Sequence, residues 1–437
     1  MSAAAAIAPP PAPVEAPVIG NSSPRISETS DDVSTLKPAA QTSWRKKKNV
    51  LGVGKNSGGG GDASDNNSSS SGSSNSNSNN NNNNNNNNKP GVNRAAMPKR
   101  STTFWKSFKY LLDLTPKEVD DFMASYVIYN LDWADEAKMI ETLGPDYEAK
   151  VGDCLQSYYG VLNHLCALGD VEKMYIPPLM DKKASVLDNQ MLYEESIARD
   201  LGLKPGDRVL DLGCGRGRVA AHMAAVSGAS VAGLNIDPNQ VAQADEFNGR
   251  MGLRNTFTVH DMNELPLPFA DDSFDAFYQI QALSLCKDLP RLFAELRRVL
   301  KPGAKISLLD WVSLPAYDAA DPEHAELMRR TKPLIGAVGT PTPETFEKAL
   351  TGAGFAILKS DNASVGGLQA PLIDKADVYF RSLRQVILGL VKLRLLPPHF
   401  KTLINRLCLD GQAFVKMDTM RLVTTSYRII AQKIEER

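Results

Sequence analysis

The run Arg208-Val-Leu-Asp-Leu-Gly-Cys-Gly-Arg-Gly-Arg218 decides the fold. Its first five residues read as a short apolar strand, and Gly213-x-Gly215-x-Gly217 follows as a loop. Glycine lets backbone approach a ligand with no Cβ in the way. A helix is expected next, over 218–226, ended by Ser227-Gly228. Downstream the alternation repeats. Ser230-Val-Ala-Gly-Leu-Asn235 is a second strand, 239–251 a second helix, and Thr256-Phe-Thr-Val259 a third strand. Phe274-Asp-Ala-Phe-Tyr-Gln-Ile280 is a fourth strand. A helix over 289–300, closed by Lys301-Pro-Gly303, leads to Ala304-Lys-Ile-Ser-Leu-Leu-Asp310, the fifth. Strands separated by helices of this length imply a parallel, doubly wound sheet. A helix over 343–354, a strand over 355–358 and an antiparallel edge strand over 426–431 complete an α/β, Rossmann-like, mostly parallel seven-stranded sheet.

The sequence before this run differs in character. Residues 57–88 are almost wholly Gly, Ser, Asn and Asp, ending in an unbroken asparagine run over 79–88. Such sequence has nothing apolar with which to offset about 1–2 kcal/mol of backbone entropy per ordered residue. Residues 1–100 are therefore expected to be a disordered tail. Residues 101–200 are expected to form an N-terminal helical cap. Thr115-Pro-Lys-Glu118 carries a helix N-cap, a first-turn proline and a glutamate at N3. Leu155, Tyr158, Tyr159, Leu162, Leu165 and Cys166 share one helical face. Another helix is expected over 186–202. The sheet domain takes 201–437, with a helical insertion at about 366–412. There Val386-Ile-Leu-Gly-Leu-Val391 and Leu393-Arg-Leu-Leu396 alternate with Lys392 and Arg394. Two readings stand: a lid over the site, or a basic apolar helix in peripheral contact with a membrane.

The chain has 49 Lys and Arg against 50 Asp and Glu. The balance is uneven: 11 basic and 6 acidic residues in 1–100, against 38 and 44 in the remainder. A mildly acidic body argues against a nucleic-acid surface. Arg45-Lys-Lys-Lys48 in the tail reads as a solvated cluster or a short targeting or lipid-contacting signal. The five cysteines are scattered without a Cys-x-x-Cys pair and the five histidines are equally dispersed, so no metal framework is expected. No 18-residue apolar run and no secretory leader pattern is present.

The loop spacing points to the ligand. A dinucleotide site calls for G-x-G-x-x-G, whereas here the third glycine comes one residue early. That suits a cofactor without a pyrophosphate, and S-adenosyl-L-methionine is such a cofactor. Its amino-acid end would lie over Gly213, Cys214, Gly215 and Gly217, beside Asp211. Asn235, at the end of the second strand, and Gln240 would meet the ribose, since an amide both donates and accepts. Asp237 is equally suited to capping the next helix. Asp261 would accept from the adenine amino group, with Met262 packed on the ring. Gln279 joins the same candidate set.

On these stretches the chain resembles the class I methyltransferases, and within them the sterol 24-C-methyltransferase group. The resemblance rests on Val209-Leu-Asp-Leu-Gly-Cys-Gly-Arg-Gly217, Gly233-Leu-Asn235 with Gln240, Arg298-Val-Leu-Lys-Pro-Gly303, Asp310-Trp-Val312 and Asp321-Pro-Glu-His324. It spans about half the chain and implies methyl transfer to an apolar lipid acceptor, a sterol or isoprenoid. The chain departs from the family at Met174-Tyr-Ile-Pro-Pro-Leu-Met180, Gln281-Ala-Leu-Ser-Leu-Cys286 and Thr331-Lys-Pro-Leu-Ile-Gly-Ala-Val-Gly339, all on the acceptor side.

A heteroatom acceptor needs a base, whereas an alkene attacks with its π electrons and afterwards loses a proton. The loop after the fourth strand offers Leu283, Leu285 and Cys286 rather than an acid–base pair. An isoprenoid alkene is therefore the expected acceptor. Gln281, Asp310 and Trp311 are the candidate catalytic residues, Asp310 lying at a strand end to take the proton or hold the cation. The other readings are a prenylated quinol or phospholipid head group as acceptor, a non-catalytic cofactor-binding scaffold, and a nicotinamide oxidoreductase. A cytoplasmic protein is expected, and an apolar acceptor with a basic apolar helix suggests peripheral association with the endoplasmic reticulum or lipid droplets.

Overall fold

The computed structural model describes residues 100–169 and 171–435. The tail expected over 1–100, with Arg45-Lys-Lys-Lys48, lies outside the described residues except for Arg100. The strands are β1 (Arg208–Leu212), β2 (Ser230–Asn235), β3 (Thr256–Val259), β4 (Phe274–Ile280), β5 (Leu300–Ser313), β6 (Phe355–Asn362) and β7 (Val423–Lys433). They form one sheet in the order β3-β2-β1-β4-β5-β7-β6. The first five pair in parallel, and β7 runs antiparallel to both β5 and β6.

Two expectations about strands are corrected. β7 is interior rather than an edge, because Ile429, Ile430 and Ala431 are buried between two neighbours while β6 takes the rim. Asp310 does not end its strand. β5 continues to Ser313 because β7 extends the ladder, pairing Asp310 with Tyr427 and Val312 with Thr424.

Among the described residues, five α-helices precede the sheet: α1 (Arg100–Leu112), α2 (Pro116–Ala124), α3 (Glu136–Leu143), α4 (Tyr147–Leu168) and α5 (Val186–Leu201). Thr115 and Glu118 form the expected capping box, each side chain bonding the other's backbone N–H. Within the sheet domain lie α6 (Arg218–Ser227), α7 (Pro238–Arg250), α8 (Leu289–Val299), α9 (Pro322–Ile335) and α10 (Pro343–Gly352). The insertion between β6 and β7 folds as α11 (Ala370–Lys392), α12 (His399–Leu407) and α13 (Gly411–Thr419).

Why the insertion holds its place follows from its apolar faces. Leu155, Leu162 and Leu165 of α4 share one buried cluster with Ile387 of α11 and with Phe400, Leu403 and Ile404 of α12. Burying each such side chain contributes roughly 1.5–3 kcal/mol. Phe414 and Met417 of α13 pack against Leu327 and Met328 of α9. The insertion and the N-terminal helices thus build one wall over the carboxyl ends of the parallel strands.

Segment 331–339, where the sequence departs from the sterol group, is pinned to that wall by Lys332. Its buried ammonium donates to the carbonyls of Leu131 and Val338, both at 2.7 Å, and pairs with Asp132 at 3.3 Å. Burial lowers its pKa, partly offset by Asp132. Lys332→Met leaves those acceptors without a donor, and a loss of about 2–4 kcal/mol in folding stability is expected. Thermal denaturation measures it, and an unchanged Tm refutes the role.

Candidate active site

β1 ends at the glycine loop. Gly213, Gly215 and Gly217 all have positive φ, at 76°, 53° and 66°. Gly213 and Cys214 donate their N–H groups to the Leu234 carbonyl of β2, which holds the loop against the sheet. A Cβ at Gly213 would fall 2.7 Å from that of Ala282, and one at Gly217 within 3 Å of Asn248, Ala244 and Phe257. The loop is therefore compressed between neighbours on its protein side. On its open side lies a cleft with about 840 Å³ of empty space, lined by Gly213, Gly215, Asn235, Gln240, Asp261 and Met262 among others. A recess of about 500 Å³ continues around the loop past Asp211, Arg216, Asn163 and Lys173.

Three buried polar atoms around these cavities have no partner among the described residues: Asn235 Nδ2, Arg216 Nε and Asn163 Oδ1. Unpaired buried polar atoms are costly and mark places where a ligand completes the bonding. Asn235 spends its Oδ1 on the Gly215 N–H at 3.3 Å, leaving its amide N–H group for a ligand acceptor. Burial, with Arg218 beside it, pulls the Arg216 guanidinium down to about 10, so it stays charged at neutral pH. Donor and acceptor together suit an amino acid's carboxylate and ammonium. The set suits S-adenosylmethionine: Asp261 and Met262 would take the adenine, Asn235 and Gln240 the ribose, and Arg216 and Asn163 the methionyl end.

Segment 172–177 roofs the cavities and is strapped down from three sides. Arg216 donates to the Glu172 carbonyl at 2.9 Å, and Arg218 Nε donates to the Glu172 carboxylate at 2.9 Å. The wholly buried Glu194 of α5 takes Lys173 at 2.5 Å, the Tyr175 hydroxyl at 2.7 Å and His222 at 2.6 Å. Gln281, with φ at 52°, accepts from the Ile176 N–H and donates to the carbonyls of Ile176 and Thr425.

Beyond that roof opens an apolar chamber with about 1120 Å³ of empty space. α4, α9, α11 and the α12–α13 connection wall it with Leu162, Leu334, Leu372, Ile373 and Phe380. Tyr159, Met174 and Gln281 line both this chamber and the cofactor cleft, so they form the doorway between the two.

The sequence-derived candidates separate accordingly. Asp211 lines the recess. Burial pushes its carboxyl up to about 7, against the Tyr278 hydroxyl that donates to it at 2.8 Å. Cys214 lines the recess too, its thiol packed against Gly233. Gln240 faces both cavities and donates to Asp237, which caps α7 through Asn239 N–H. Asp261 lines the cleft and also holds its own turn through Asn263 N–H.

Three candidates sit elsewhere. Gln279 is fully buried within β4 and donates to Asp310 at 2.8 Å, away from the cleft. Trp311 is buried in a core with Leu327 and Phe414, its indole N–H given to the Gly339 carbonyl. Asp310 lines neither cavity. It accepts from Leu283 N–H, Trp311 N–H and Gln279, and so fixes loop 281–285 from beneath. Burial, opposed by those donors, pushes its carboxyl up to about 6. Tyr159, Met174, Asn163 and Arg216 were not singled out from sequence. Arg216 had a signal, a basic residue inside the glycine loop; the others come from distant segments.

A glycine loop at the first strand of a doubly wound sheet, with β7 inserted antiparallel beside β5, is the frame of the Rossmann-like methyltransferases. The comparisons agree. Residues 210–308 match the Methyltransferase domain family. Botryococcene C-methyltransferase of Botryococcus braunii is 33% identical over 256 residues, covering 56% of this chain and 67% of that one. Sterol 24-C-methyltransferase of Pneumocystis carinii is 32% identical over 197 residues, 44% of this chain and 51% of that one. The chain spans about half to two thirds of the length of the curated relatives it matches. Among solved structures the cyclase SpnF superposes with a TM-score of 0.51 at 20% identity, over 64% of this chain and 96% of its own, and shares the fold. The chain belongs to the class I S-adenosylmethionine-dependent methyltransferases, in the family of the sterol and botryococcene C-methyltransferases, and S-adenosylmethionine is its cofactor.

Arg216→Met removes a charge-assisted hydrogen bond of about 1.5–3 kcal/mol. Calorimetric titration with S-adenosylmethionine is expected to give a Kd about 10- to 100-fold weaker, and wild-type affinity in the variant excludes the assignment.

Proposed function

We propose that this chain methylates a carbon of an isoprenoid alkene, with the side-chain double bond of a sterol as the acceptor. The carrying observation is the doorway: a polar cofactor cleft and a large apolar chamber meet at Tyr159, Met174 and Gln281. Bound in the cleft, S-adenosylmethionine would supply an electrophilic methyl: the alkene's π electrons form the new C–C bond, the sulfur keeps the electron pair of the S–C bond that breaks, and the product cation loses a proton to water.

The chain's own residues suit that demand. Burial, with Asp310 nearby, pushes the Tyr159 phenol up to about 12, so it remains protonated and offers a π face rather than a base. Tyr158, buried beside it at a ring separation of 5.0 Å, is shifted the same way. Lys173 is held by Glu194, and both hydrogens of the Gln281 amide are taken by backbone carbonyls. None of these groups, all at or beside the doorway where the methyl would be delivered, is free to deprotonate a phenol or an amine, whereas an alkene needs no such step. Asp310, with both oxygens engaged, acts as a positioning residue for loop 281–285.

The test is incubation of purified protein with labelled S-adenosylmethionine and lipid acceptors. Label in a Δ24-sterol, located on carbon by mass spectrometry, is the expected result. An unlabelled sterol beside a labelled phenol, quinol or amine overturns the proposal.

Peripheral membrane contact belongs to the same reading. Among the described residues no helix is long and apolar enough to cross a membrane. At the turn after α11, Leu393 and Leu395 are about two-thirds exposed (68% and 67%) and alternate with Lys392 and Arg394. Trp105 of α1 is 63% exposed. The Phe108–Phe400 ring contact at 6.0 Å and the bond from His399 to the Leu111 carbonyl hold α1 against α12. Apolar tips among cations suit an anionic bilayer surface. Replacing Leu393 and Leu395 together by Ser is expected to lower partitioning onto phosphatidylserine vesicles by about 10-fold or more. Flotation reads this directly, and undiminished binding removes the turn from the contact.

A further inference from the structure

Asp377 of α11 brings a carboxylate into the wall of the apolar chamber. It is 8% exposed, and its Oδ2 accepts from Gln412 Nε2 at 2.6 Å and Arg381 Nε at 2.9 Å. Its Oδ1 accepts no hydrogen bond among the described residues. Gly411 keeps that oxygen clear, for a Cβ at 411 would lie 2.3 Å from it. Of the other polar groups of the chamber, Lys173 is spent on Glu194, the Gln281 amide hydrogens on Ile176 and Thr425, and the hydroxyls of Tyr158 and Tyr175 on Pro333 and Glu194; the neutral Tyr159 hydroxyl, at the doorway, has no partner among the described residues.

The two ends of the chamber are therefore chemically distinct. Gln369, just ahead of α11, donates to the Ile176 carbonyl, the same acceptor that Gln281 uses at the doorway. Asp377 follows eight residues later, which at 1.5 Å per residue is about 12 Å further along the helix. Leu372, Ile373 and Ala376 line the intervening wall. A largely buried carboxylate oxygen gains when a donor reaches it and loses when hydrocarbon covers it.

We propose that Asp377 Oδ1 accepts a hydrogen bond from a hydroxyl at the end of the acceptor remote from its double bond. The chamber then selects a hydroxylated isoprenoid, such as a 3-hydroxysterol, over a hydrocarbon of the same shape. This rests on the chamber being the acceptor site. The site is built as an amphipathic slot: a hydrocarbon at the doorway, a donor at the far wall. A pure hydrocarbon would leave Oδ1 desolvated and unpaired, which is the kind of mismatch that discriminates strongly between analogues.

The experiment compares a Δ24 3-hydroxysterol with its 3-deoxy counterpart on the full chain. It reads the ratio of kcat/KM from labelled methyl incorporation and the ratio of Kd from direct titration of each lipid. Wild type is expected to prefer the hydroxylated lipid by at least about 10-fold in both. Asp377→Leu and Gly411→Ala are expected to abolish the preference, chiefly through KM, and Asp377→Asn to keep part of it because its amide carbonyl still accepts. Equal treatment of the two lipids by wild type, or a Leu variant that weakens both alike, overturns the proposal. The second pattern would mean that Asp377 only ties α11 to Gln412. If neither lipid is methylated, the alkene reading fails on its own, and the Kd ratio still decides the role of Asp377.

Discussion

Three hydrogen bonds from one side chain hold the two halves of the site together. Gln281, at the carboxyl end of β4, accepts from Ile176 N–H and donates to the carbonyls of Ile176 and Thr425. It bridges the sheet, the roof segment and β7 at the point where cofactor cleft meets apolar chamber. Its backbone is in the left-handed region, and its N–H is given to the Leu309 carbonyl of β5. A non-glycine residue holds that conformation only where its surroundings over-determine it. Here four hydrogen bonds do so, and the Asp310 carboxylate beneath secures the next turn through Leu283.

The roof also carries charge that water does not reach. Glu194, wholly buried, is acceptable because Lys173, Tyr175 and His222 surround it. A buried pair adds little stability compared with an apolar replacement, but losing one partner is expensive. The arrangement therefore acts mainly to fix geometry. It sets the height of segment 172–177 above the glycine loop, and with it the reach of Met174 and Tyr159 at the doorway. Arg216 lines the recess and bonds the Glu172 carbonyl, while its buried Nε has no partner among the described residues.

Much of the frame was legible in the chain. Strands β1 to β4 lie where apolar runs and punctuating glycines put them, because each is a local pattern with a local stop signal. The glycine loop, Asn235, Gln240 and Asp261 follow from their positions after successive strands, since a doubly wound sheet gathers those ends on one side. What failed to read was anything set by pairing. The last strand in the chain looked like an edge, yet β7 enters between β5 and β6. Its pairing lengthened β5 and moved Asp310 and Trp311 from a presumed strand end into the interior. Gln279 was misjudged for the same reason, because β4 is covered on both sides.

The amino-acid sequence by itself determined the class of fold, the methyl-donor side and the apolar character of the inserted helices. Those properties depend on residues close together in the chain, where helix and strand periods and the freedom of glycine act directly. Only the tertiary structure shows the apolar chamber and its doorway to the cleft. Tyr159, Met174, Gln281 and Asp377 come from four segments with no common pattern. They meet because α4, the roof, β4 and α11 are packed by long-range burial of apolar faces, and that packing has no signature in any short run of residues.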